Sequence, residues 1–113
     1  VGEHSNFILV PMLLKGIQQL NRWGVENIQS YCKSIIEKPL SALRQQGFWV
    51  EDEEYRSNHL FGIPIRGKDT QRIKDALIRN KVYVSFRGEA IRVSPHVYND
   101  EGDMNKLARV LLL

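Results

Sequence analysis

The sequence predicts an α+β fold: an antiparallel sheet of about four strands covered by helices, in the order α-α-β-β-α-β-β-α. Two patterns carry that expectation. Through residues 11–46 the apolar side chains recur at three- and four-residue steps, which is the spacing of a helix face. From Val82 to Val93 they alternate with polar ones on both sides of Gly88-Glu89, which is the period of two strands joined by a tight turn. A chain of 113 residues suffices for one such core but not for two.

The first helix is expected over Pro11 to Trp23, where Leu13, Leu14, Ile17, Leu20 and Trp23 form one face. Pro11 suits a first helical turn, and Gly24 suits the exit. A second helix follows from about Val25 to Gln46, with Ile28, Tyr31, Cys32, Ile35, Ile36, Leu40 and Leu43 as its stripe; Pro39 within it predicts a kink. Phe48 to Val50 reads as a short strand, Glu51 to Glu54 as a solvated acidic turn, and His59 to Ile65 as a second strand. Asp69 caps a helix over Thr70 to Arg79 whose Ile73, Ala76 and Leu77 face inward. After the Val82–Val93 hairpin, Asn99 is expected to cap a last helix that buries Met104, Leu107, Ala108 and Leu111.

Composition excludes more than it assigns. The net charge of +3 is mild and dispersed, so it gives no reason to expect nucleic acid. The single cysteine, Cys32, forms no intrachain disulfide, and no apolar run approaches the roughly 18–20 residues of a membrane span. The expectation is a cytoplasmic protein with no membrane and no nucleic-acid partner. His4, His59 and His96 lack metal-ligand spacing, so no metal is expected. The chain starts at Val1 rather than Met and stops at three leucines, so it reads as a piece of a longer protein.

A two-residue Gly88-Glu89 turn of type II′ sets the register of the hairpin. Arg87 then lies opposite Ala90, Phe86 opposite Ile91, Ser85 opposite Arg92 and Val84 opposite Val93. Val84, Phe86, Ile91 and Val93 share the core face, while Tyr83, Ser85, Arg87, Arg92 and Ser94 share the other. Arg87 and Arg92 become diagonal neighbours within reach of a common anion. Each guanidinium offers a planar fork that matches a carboxylate. Arginines simply pointing into water are the ordinary alternative.

The segment "IRVSPHVYNDEGDMNKLARVL", Ile91 to Leu111, resembles the closing segment of class V aminotransferase-like enzymes, the fold type I pyridoxal-phosphate family that includes cysteine desulfurases, kynureninases and isopenicillin N epimerase-like proteins. "GEHSNFILVPMLLKGIQQLNRWGVENIQSYC", Gly2 to Cys32, is similar to the family's loop that leads into a helix, a Gly and the long helix of the small domain. The resemblance implies a C-terminal small domain over residues 11–113, with residues 1–10 leading in from a large domain that binds pyridoxal phosphate.

The roles of individual residues rest on that resemblance alone. Arg92 matches the arginine that pairs with the substrate's α-carboxylate, and Arg87 sits where relatives often place a second basic residue. The loop at Glu3 to Asn6 matches a region near the cofactor phosphate of a partner subunit, which puts His4 and Ser5 among the cofactor-binding candidates. The resemblance also implies that the Schiff-base lysine lies upstream. The fragment alone is therefore expected to be inactive and to bind no cofactor, while the intact enzyme acts on an amino acid as a homodimer. Transaminase, epimerase and lyase chemistry stay open. Desulfurase chemistry is disfavoured, because the hairpin holds only Gly88-Glu89 where those enzymes carry a nucleophilic cysteine. The rival is a non-catalytic α+β module that binds a small anionic ligand or a protein partner.

Overall fold

The structure is a computed structural model and describes residues 6–113. Among the described residues, four α-helices, α1 (Leu9–Trp23), α2 (Val25–Gln45), α3 (Thr70–Arg79) and α4 (Glu101–Leu111), accompany three strands, β1 (Phe61–Pro64), β2 (Ser85–Arg87) and β3 (Ala90–Val93). The strands form one antiparallel sheet in the order β1-β3-β2. Phe61, Ile63, Ile91 and Val93 point from it into a core shared with Ile36, Leu40 and Leu43 of α2, Leu77 of α3 and Met104, Leu107 and Leu111 of α4. Helices therefore cover one face of the sheet and leave the other open. No helix among the described residues is long and apolar enough to cross a membrane.

The α+β class is as expected, but the described sheet has three strands rather than about four. Phe48 and Val50 are buried with Trp49 turned outward, the alternation of a strand, yet none of the described strands pairs with them. Their backbone is satisfied otherwise: Phe48 N donates to Leu43 O at the end of α2, and Arg44 Nη2 donates to Val50 O at 3.0 Å. A helix end and an arginine thus replace a ladder.

The first strand of the hairpin is also shorter than its alternation suggests. Val82 N donates to Leu77 O, closing α3 through Lys81, which has a left-handed φ of 55°. Val82 and Val84 still pack on the core, but the ladder begins only at Ser85.

Helix limits follow the sequence closely. α1 starts two residues before Pro11, at Leu9, and Asn6 serves its entry: Asn6 Oδ1 accepts from Ile8 N at 2.8 Å and Leu9 N at 3.0 Å. α2 is one continuous helix through Pro39, which is buried. Asp69 caps α3 by accepting from Arg72 N. At α4 the cap is Asp100, not Asn99. Asp100 Oδ1 accepts from Asp103 N, Asp103 Oδ2 accepts from Asp100 N, and the two make a reciprocal capping box. Asn99 is freed to accept from His96 N and tighten the turn before the helix.

The acidic stretch after Val50 is docked rather than free. Lys33 Nζ meets Glu53 Oε1 at 2.9 Å, and Arg44 donates to Glu51 O as well as to Val50 O. Arg56 donates to Glu51 O, Ser57 O and Asn58 Oδ1, and Gln29 of α2 accepts from Asn58 N. These bonds tie the loop to α2 and deliver the chain into β1.

Candidate functional site

The open sheet face is built in two rows. In one, Arg92 of β3 lies between Gly62 of β1 and Ser85 of β2; in the next, Ala90 lies between Pro64 and Arg87. The register is the one that a two-residue turn dictates. Gly88 has φ +57° while Glu89 stays outside the left-handed region, as a type II′ turn requires.

Both arginines are exposed on this face and neither has an ion pair or side-chain hydrogen bond among the described residues. Their neighbours are small or flat. Gly62 and Ser85 flank Arg92 directly, and Pro64, Ala90 and Arg87 make up the next row of the face. Such a floor admits a small planar anion and presents it with two cations. His4 and Ser5 lie outside the described residues.

The remaining candidates divide by burial. Cys32 is fully buried, with Sγ 3.7 Å from Pro95 O, and burial raises its thiol pKa above 9.0, the opposite of what a thiolate nucleophile needs. Tyr98, in the segment between β3 and α4, is 80% exposed. It stacks on His96 at 5.8 Å between centroids, and His96 in turn meets Trp23 of α1 at 6.2 Å. Tyr31 of α2 reaches the same segment, its hydroxyl donating to Asn99 O at 2.6 Å. Among the described residues no three His, Cys, Asp or Glu side chains gather into a metal-binding group.

Sequence reasoning misses Trp49 and Arg66 beside the arginine face. Both line the cleft that opens next to Arg87, which has a volume of about 610 Å³. Trp49 is hidden by its place in a segment that reads as a strand, and only the pairing of β1 with β3 brings Arg66 near the hairpin turn.

No protein-family model matches the chain. It is 28% identical over 115 aligned positions to an uncharacterized aminotransferase of Schizosaccharomyces pombe, an alignment that takes in 96% of this chain and 28% of that protein. A solved NifS-like protein superposes on 74% of the chain with a TM-score of 0.62 and 16% identity, which shows likeness of fold. The chain thus spans little more than a quarter of the length of either protein. The chain is thus similar in sequence, over nearly its whole length, to part of a protein named as an aminotransferase, and in fold, over most of its length, to part of a NifS-like protein.

Proposed function

We propose that this chain is the small domain of a pyridoxal-phosphate enzyme acting on an amino acid, and that Arg92 binds the substrate's α-carboxylate, with Arg87 as a second cation beside it. The observation that carries the proposal is Arg92 itself, exposed on a sheet face between Gly62 and Ser85 with no acidic partner among the described residues. An unpaired guanidinium is free to take a carboxylate with two parallel hydrogen bonds. Bound cofactor would supply the electron sink. No described residue of this chain is assigned to hold it, and the domain's own work is to bind the amino acid and fix its orientation.

The domain boundary belongs to the same proposal. None of the residues of α1 is buried, although it carries Leu13, Leu14, Ile17 and Leu20. A helix with such a face is expected to pack on another body, and the preceding large domain of a longer, homodimeric enzyme is the body we propose.

In the intact enzyme, Arg92→Ala is expected to raise the KM for the amino acid about ten- to a hundredfold, the loss of charge-assisted hydrogen bonds, while the absorbance of bound pyridoxal phosphate stays the same. Loss of cofactor with unaltered substrate affinity would sink the carboxylate role. A full-length protein that takes up no pyridoxal phosphate when it is supplied would favour the rival, a non-catalytic anion-binding module.

A further inference from the structure

The next row of the arginine face bears on which amino acid is bound. Pro64, Ala90 and Arg87 form that row, and beyond it the surface opens into the cleft of about 610 Å³ lined also by Trp49, Arg66, Lys68 and Glu89. Three cations and one carboxylate face this space. Two of the cations are engaged: Arg66 Nε lies 2.8 Å from Glu89 Oε2, and Lys68 Nζ sits 4.2 Å from the centroid of the Phe48 ring. Arg87 is exposed and has no such engagement among the described residues. The Trp49 indole, 57% exposed, is an apolar wall of the same cleft.

Diagonal neighbours on an antiparallel pair lie about 7–8 Å apart, which places Arg87 and Arg92 where their long side chains can reach either one shared carboxylate or two carboxylates of one molecule. A neutral side chain would leave the cleft's excess positive charge unanswered; an acidic one would answer it.

We infer that the cleft selects a dicarboxylic amino acid, with Arg87 pairing the distal carboxylate while Trp49, Pro64 and Ala90 cover the methylenes between. The inference rests on the reading of Arg92 as the α-carboxylate site.

The test is a titration of the 113-residue chain at matched ionic strength with L-glutamate, glutarate and L-alanine, following by NMR the Nε signals of Arg87 and Arg92 and the indole Nε1 of Trp49. Glutamate and glutarate are expected to shift all three saturably, at concentrations at least about tenfold below those at which alanine acts. Arg87→Gln should remove that preference and leave the backbone amide spectrum folded. If glutamate and alanine act at equal concentrations, or Arg92 responds while Arg87 and Trp49 do not, the inference falls and the reading of Arg92 stands. Glutarate shifting Arg87 and Trp49 but not Arg92 would overturn the reading of Arg92 and uphold the cleft as a carboxylate site. Shifts that inorganic phosphate reproduces equally would overturn the dicarboxylate assignment as general anion attraction.

Discussion

Arg56 donates to two backbone carbonyls and to Asn58 Oδ1, and its guanidinium carbon lies 5.5 Å from the centroid of the Phe61 ring. Arg92, on the open face of the same sheet, has neither kind of partner among the described residues. Arg56→Met should therefore lower stability by about 2 kcal/mol in urea unfolding, since it takes the donor from the part-buried Ser57 carbonyl and Asn58 Oδ1, whereas Arg92→Met should change it by under about 0.5 kcal/mol. Equal losses would contradict this division of roles. A second effect at this scale is electrostatic. The Lys33 hydrogen bond holds the Glu53 carboxyl below its ordinary 4.5, so the pair's contribution is present above that pH and is lost as pH falls through the lowered value. Both side chains are about half exposed, so solvent screens the pair. Lys33→Met should return the Glu53 titration, followed by NMR, toward 4.5.

Among the elements, α3 and α4 show how end residues decide where structure stops. Lys81 occupies the left-handed position that closes α3, where a glycine is usual, and its Cβ makes that conformation unfavourable. Lys81→Gly is expected to raise stability by about 0.5–1 kcal/mol, a gain read as a higher urea midpoint at unchanged m-value. Asp100→Ala breaks the capping box of α4 and should cost about 1 kcal/mol by the same measurement. The choice between Asn99 and Asp100 as cap lies beyond the sequence, because both are good cap residues one position apart. The segment Phe48–Val50 departs from expectation for a related reason: alternation reports which side chains are buried, not whether a neighbouring strand takes the backbone bonds.

At the scale of the molecule the unusual feature is α1, which projects an apolar face from a structure measuring 48 × 33 × 27 Å. Ile17, 45% exposed, contributes little to the core, so Ile17→Lys should leave the chain's stability within about 0.5 kcal/mol of the parent. Ile63 is fully buried between β3 and the helices, and Ile63→Ala should cost about 3 kcal/mol. Comparable losses from the two would mean that α1 packs on this domain after all.

By itself the sequence determined the α+β class, the four helices and the hairpin with its register, because all of these come from local periods and turn chemistry. It also placed Arg87 and Arg92 on one face, since a two-residue turn admits one alternation only. The tertiary structure decided that this face is the uncovered one, that Gly62 and Pro64 of a distant strand form its floor, and that Trp49 and Arg66 border it. Those facts depend on β1 pairing with β3 across a long stretch of intervening chain, and no local pattern records which strand becomes whose neighbour.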